Sequence, residues 1–301
     1  MNIYLPIAEM SVNVFVILSL GGITGILSGL FGIGGGFLIT PLLIFIGVPP
    51  SVSVATAANQ IVASSVSGLV THLRKDNVDF KMGSYLLAGG ITGSTLGVGL
   101  FRWLKDIGQI DIAISLLYVT FLSVIGALMA SESIRSILNI QKTASKEKML
   151  WIDRMPYKIE FPRSKVEISV IMPVGIGFLI GIMVSLMGIG GGFLLIPAMI
   201  YLLGMPTAVV IGTSLFQIIF ITANVTFLQA ITTQTVDVVL ALLLLTGAVV
   251  GAQFGVGLGN RLPAEHLRGL LAMLVLGMAF HLAFDLFTPP ENIYSVSTLD
   301  E

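Results

Sequence analysis

Two stretches, FGIGGGFLITP at 31–41 and MGIGGGFLLIP at 187–197, repeat one glycine pattern in two places along the chain. Consecutive glycines interrupt a helix rather than extend it, and glycine allows positive φ and close backbone approach at no steric cost. A helix restarting just after Gly36 or Gly192 turns its free N–H groups and the positive end of its dipole toward the break. Helix N-termini hold phosphate and sulfate in this way. The candidate binding groups are therefore Gly34, Gly35 and Gly36 in one cluster and Gly190, Gly191 and Gly192 in the other. Together the two clusters could cradle a single small anion.

A polar stripe accompanies each cluster. Thr56, Gln60, Ser64, Ser67 and Thr71 fall at i, i+4, i+8, i+11 and i+15, one face of a helix. Thr213, Gln217 and Asn224 repeat the i, i+4, i+11 spacing, with Ser214 and Thr222 nearby and Asn59 at the edge of the first stripe. Polar side chains are costly in lipid and face the protein interior or a cavity. Serine and threonine can bond back to their own helix, which is the reading for Ser64 and Thr71. The two matched glutamines are read as cavity groups, because their NH₂ groups are neutral donors that suit an anion that must later leave. The binding set is completed by Thr56, Asn59, Gln60, Thr213, Ser214 and Gln217.

The elements that must position these residues follow from composition. The chain has 301 residues, is 55% hydrophobic and only 10% charged, and its mean hydropathy is +0.99. Those values describe a membrane protein. Apolar runs at 12–30, 53–73, 82–101, 110–130, 167–187, 207–229, 236–258 and 264–288 approach the ~20 residues that span the hydrocarbon core as a helix. The runs at 37–48 and 193–204 directly follow the glycine clusters and would reach only ~18 Å. They are half-helices, which either complete a crossing or fold back. Membrane strands are not expected, since the runs lack the ~10-residue alternation of a barrel. The expected fold is all-α and polytopic, with eight full-length and two short helical segments.

The chain is also an internal duplication. Residues 25–41 and 181–197 are identical at 11 of 17 positions, and GGITGSTLGVGL at 89 matches GAVVGAQFGVGL at 247. The expected organisation is a first transmembrane repeat at 1–130, a cytoplasmic linker at 131–166, a second repeat at 167–288 and a tail at 289–301. The linker holds eight of the fifteen lysines and arginines. Cytoplasmic loops retain such residues. If each repeat crosses an odd number of times, thirteen basic residues share the inner face and only Arg102 and Lys105 lie outside. That arrangement makes the repeats inverted, with both termini outside.

Several features read as structural. Gly21, Gly25 and Gly29, with Gly89, Gly93 and Gly97 and Gly247, Gly251 and Gly255, recur every four residues, the pattern of close helix crossing. Asp79 and Asp237 match between repeats and read as helix N-caps. His281 and Asp285 read as an interface pair, and Pro41 and Pro197 as shaping the half-helices. No charged residue lies in the middle of a span, so a cation is poorly served. The chain has no cysteine, no HExxH, no GxSxG and no paired carboxylates, which argues against an enzyme. No cofactor, metal site or nucleic-acid partner is indicated. GIGGGF lacks the third glycine of a dinucleotide fingerprint. The expected partners are the lipid bilayer and a small anionic substrate.

With these residues in view, the sequence resembles the sulfite exporter (TauE/SafE) family of permeases. The resemblance rests on GxxxGLFGIGGGFLITP, its echo GxxxSLMGIGGGFLLIP, VATAANQ beside IGTSLFQ, and a charged linker between similar halves. It implies a multi-pass permease of the cytoplasmic membrane that moves sulfite, sulfonates or related organic anions, with a channel as the alternative. Gly212, Thr213 and Ser214 match the family's GTS, whereas the first repeat has Ala55, Thr56 and Ala57.

Overall fold

A computed structural model describes residues 2–31, 36–137, 157–164, 166–259 and 264–287. Ten helices dominate it: α1 (Val14–Phe31), α2 (Gly36–Phe45), α3 (Pro50–Arg74), α4 (Phe80–Asp106), α5 (Ile110–Ile137), α6 (Ile171–Met187), α7 (Gly192–Tyr201), α8 (Thr207–Thr232), α9 (Val238–Gly259) and α10 (Ala264–Phe287). Each apolar run of the sequence corresponds to one helix, and α2 and α7 are the two short ones at ten residues each.

Among the described residues four helical segments are long and apolar enough to cross a membrane by themselves: Phe80–Asp106, Ile110–Ser131, Val209–Thr232 and Val238–Gly255. The expectation of eight such spans is met only in part. α6 is shorter because it ends at a glycine cluster, and the serines, threonines, asparagine and glutamine of α3 lower its hydropathy. Large apolar side chains such as Leu96, Leu128, Phe254, Met273 and Phe280 lie exposed, as lipid-facing residues of a multi-pass protein do.

The helical expectation is met in the main, with two small strand pairs that it did not include. Two antiparallel hairpins precede α1 and α6: β1 (Asn2–Leu5) with β2 (Met10–Asn13), and β3 (Lys158–Phe161) with β4 (Val166–Ser169). Strands of four residues are too short to register as a period in an apolar sequence. They hold because their ends dock on the bundle, where Leu5 and Phe161 are both fully buried.

Helix directions follow from close glycine contacts. A side chain on Gly21 would meet Leu244, and one on Gly25 would meet Ala248; Gly247, Gly251 and Gly255 similarly abut Leu18, Gly22 and Ile26. α1 and α9 therefore run in the same direction. Gly89 and Gly93 abut Val174 and Phe178, while Gly177 and Gly181 abut Leu86 and Gly90, so α4 and α6 also run together. The four-residue glycine stripes are packing surfaces, as expected for those positions that are described. α3 and α8 cross the other way. Thr56 near the start of α3 meets Asp237 beyond the end of α8, and Thr213 near the start of α8 meets Asp79 beyond the end of α3.

Candidate anion site at the paired helix breaks

α6 ends where the backbone turns left-handed. Gly188, at φ 64°, caps it by donating its N–H to the Val184 carbonyl at 2.8 Å. Gly190 and Gly191 also have positive φ, at 76° and 72°, a conformation that costs an L-residue roughly 1–2 kcal/mol. α7 then starts at Gly192. One expected free N–H is already used, since Gly192 donates to the Gly190 carbonyl at 2.9 Å. All of residues 188–191 are buried. In the first repeat Gly34 and Gly35 lie outside the described residues, while Gly36 opens α2.

Gly36, which opens α2, adjoins the second glycine stretch. A Cβ on Gly36 would lie 3.2 Å from the Ile189 carbonyl oxygen and 2.0 Å from Ile61 Cδ1. Glycine is required at 36 for this approach. Phe37 and Phe193, one residue into each short helix, stack with ring centroids 4.3 Å apart and planes 6° from parallel. Pro41 and Pro197 are each the sixth residue of a short helix, so neither can donate to the carbonyl four residues earlier, on Phe37 and Phe193.

The polar stripes divide. Thr56 and Thr213 are fully buried, and each hydroxyl accepts from a backbone N–H of the opposite repeat: Asp237 N–H to Thr56 at 3.1 Å and Asp79 N–H to Thr213 at 3.0 Å. Gln60 and Gln217 are also buried. Gln60 Nε2 donates to Thr24 Oγ1 of α1 at 3.4 Å, whereas Gln217 Nε2 donates to the Leu86 carbonyl of α4 at 3.2 Å. The two amides thus reach different helices, and both Oε1 atoms are buried without a partner among the described residues. Ser214 bonds back to Ile211 and Ser64 to Ile61, and Asn59 is half-buried. The side chains of Ser67, Thr71 and Asp285 lie outside the described set; His281 packs on the Phe45 ring.

Three polar groups were not singled out from sequence. Tyr118 of α5 is fully buried and donates its hydroxyl to the carbonyl of Met187, the last residue before the second break. Gln229 donates to the Ser185 carbonyl at 3.1 Å. Ser185 donates to the Ser94 carbonyl at 2.9 Å. A lone tyrosine in an apolar run was the available signal, since buried tyrosine hydroxyls find partners. Asp79 and Asp237 are N-caps as expected, accepting from Met82 and Leu240 N–H at 3.0 Å each, and are more deeply connected than a cap requires.

A family model described as sulfite exporter TauE/SafE matches residues 17–282. The chain belongs to this family. Among curated relatives, probable membrane transporter protein YjnA of Bacillus subtilis is 28% identical over 267 residues, covering 89% of this chain and 97% of its own length. A probable membrane transporter protein of Methanocaldococcus jannaschii, MJ0441, is 27% identical and covers 86% of this chain and 91% of its own length. Sulfite exporter TauE/SafE family protein 1 of Arabidopsis thaliana is 47% identical, over 17% of this chain and 11% of its own length. No solved structure gives a significant match. This TauE/SafE member is thus a multi-pass membrane protein of a transporter family.

Proposed function

We propose that the protein is a secondary transporter that carries a small anion across the cytoplasmic membrane by alternating access, the solute being sulfite, a sulfonate or a related organic anion. Its seat is the junction of the two GIGGG breaks, and two inverted, glycine-broken repeats rearrange around it. The observation that carries this reading is the meeting of Gly36 with the Ile189 carbonyl under the Phe37–Phe193 stack. Irregular backbone at membrane depth is tolerated only where protein or a cavity surrounds it, and discontinuous helices of this kind form substrate sites in inverted-repeat transporters.

The antiparallel course of α3 and α8, which are equivalent in the sequence repeat, supports inversion. The donor inventory supports an anion. Thr56 and Thr213 use one hydroxyl lone pair each as acceptors, which leaves their hydroxyl hydrogens to donate, and each glutamine NH₂ has a second hydrogen. The unpartnered Oε1 atoms of Gln60 and Gln217 favour a monoanion that still carries a proton, because such a ligand supplies a donor along with its oxygens. The printed name of the Arabidopsis relative points to sulfite as the first solute to try.

The test is flux into proteoliposomes. Gln60→Ala combined with Gln217→Ala should abolish saturable sulfite uptake while membrane insertion is retained, with the thermal midpoint lowered by the two lost buried hydrogen bonds. Undiminished uptake by the double variant would overturn the seat. Single-channel currents would replace the carrier by a pore.

A further inference from the structure

We propose that the two β-hairpins are paired gates at opposite ends of the bundle, each latched through its tip to a buried aspartate of the other repeat. In one junction, Asp237 Oδ2 accepts from the Ile7 N–H at 3.1 Å, while its Oδ1 caps Leu240 and its own N–H donates to Thr56. In the other, Asp79 Oδ2 accepts from the Ser164 N–H at 3.1 Å and from the Ser164 hydroxyl, while Oδ1 caps Met82 and the Asp79 N–H donates to Thr213. Each carboxylate ties together the N-terminus of its own helix and the hairpin that leads into the first helix of the other repeat. Asp79 is 2% exposed and Asp237 fully buried. A helix cap alone uses one carboxylate oxygen; here the second oxygen is committed to the hairpin in both repeats.

The latches lie at opposite ends because α3 and α8 run antiparallel: one is beside Thr56 at the start of α3, the other beside Thr213 at the start of α8. Each hairpin is also continuous with a helix that ends at a glycine break. β2 passes directly into α1, and β4 reaches α6 through Val170 alone. A hairpin that lifts from its aspartate pulls on the helix whose far end forms the break, which links the state of the gate to the state of the seat. An isolated two-stranded hairpin is marginal in water, so its position depends on its docking.

The two latches are unequal. The β3–β4 tip is held in addition by Arg163, which donates to the Val78 carbonyl at 3.0 Å and to Asp76 at 3.1 Å, and by Lys81, which donates to the Glu160 carbonyl at 2.9 Å and lies 5.4 Å from the centroid of the Phe161 ring. The β1–β2 tip has the Ile7 contact to Asp237. The β1–β2 gate is therefore the one that opens first.

The cysteine-free chain allows a direct test that needs no substrate. Ala8→Cys and Ser164→Cys each place a unique thiol on a buried tip, the latter keeping its N–H bond to Asp79 while giving up the hydroxyl bond, to be labelled with a membrane-impermeant maleimide on either side of oriented proteoliposomes. Gating predicts that the two thiols react from opposite faces and that Ala8→Cys reacts faster. Asp237→Asn keeps the Oδ1 cap but turns an NH₂ group toward the Ile7 N–H, and should speed Ala8→Cys labelling about tenfold with Ser164→Cys unchanged. Equal labelling with and without Asp237→Asn, labelling of both thiols from one face, or faster labelling of both thiols through general loosening would each overturn the latch. Sulfite flux, on which only the transport reading rests, is measured separately. Responsive thiols in a protein that moves no sulfite would leave the gates standing and remove the solute, and sulfite flux with unresponsive thiols would do the reverse.

Discussion

Phe37 and Phe193 occupy equivalent positions in the two repeats and stack on each other at 4.3 Å, nearly parallel. Residues far apart in sequence thus meet at the starts of the two short helices, with exposures of 1% and 4%.

Because the rings share one contact, their removal should not be additive. Phe37→Ala or Phe193→Ala should each cost about 3–5 kcal/mol, the usual cost of truncating a buried aromatic. The double variant should cost less than the sum. Thermal unfolding in detergent, run as a double-mutant cycle, reads the coupling, and strict additivity would show that the stack contributes nothing of its own.

Alanine substitutions at the second break should rank by what the new methyl meets. All three positions have positive φ, so each carries the same backbone penalty of roughly 1–2 kcal/mol. Gly188→Ala adds a contact 2.6 Å from the Val54 carbonyl oxygen, Gly190→Ala meets the side chain of Ile61 at 2.7 Å, and Gly191→Ala meets side-chain methyls at 3.1 Å. Backbone yields less readily than a side chain. Thermal midpoints should fall most for Gly188→Ala and least for Gly191→Ala.

The helix-crossing glycines offer a contrast with built-in controls. Gly93→Ala places a methyl 2.0 Å from the Phe178 carbonyl oxygen and Gly251→Ala one 2.1 Å from that of Gly22, whereas Gly99 and Gly175 have nothing within 4 Å. Forcing either helix pair apart should cost about 1–3 kcal/mol. Gly99→Ala and Gly175→Ala should be neutral or slightly stabilising in the same unfolding assay.

Tyr118→Phe removes the donor to the Met187 carbonyl while keeping the ring. Leaving that acceptor at the end of α6 without its donor should lower stability by about 1–3 kcal/mol. Flux measured beside the thermal midpoint tells whether Tyr118 also holds the second break in shape: a stability loss at full flux would confine it to packing.

Local patterns made much of this legible. Helix positions came from the length of apolar runs. The positive φ angles at Gly190 and Gly191 came from adjacent glycines whose backbone freedom is intrinsic. The glycine stripes came from a four-residue period that has one physical use, and the aspartate caps from residue type and position. Each of these is a property of a few neighbouring residues, so the sequence determined them by itself. Only the tertiary structure decided which distant groups meet: Phe37 with Phe193, Thr56 with the Asp237 N–H, Gln60 with α1 and Gln217 with α4, and Ser164 with Asp79. Residues facing the same side of one helix diverged in role because a helix face sets direction, while the helices packed against it supply the partner. The hairpins escaped detection for the same reason: four-residue strands carry too little local signal, and docking on the opposite repeat holds them in place.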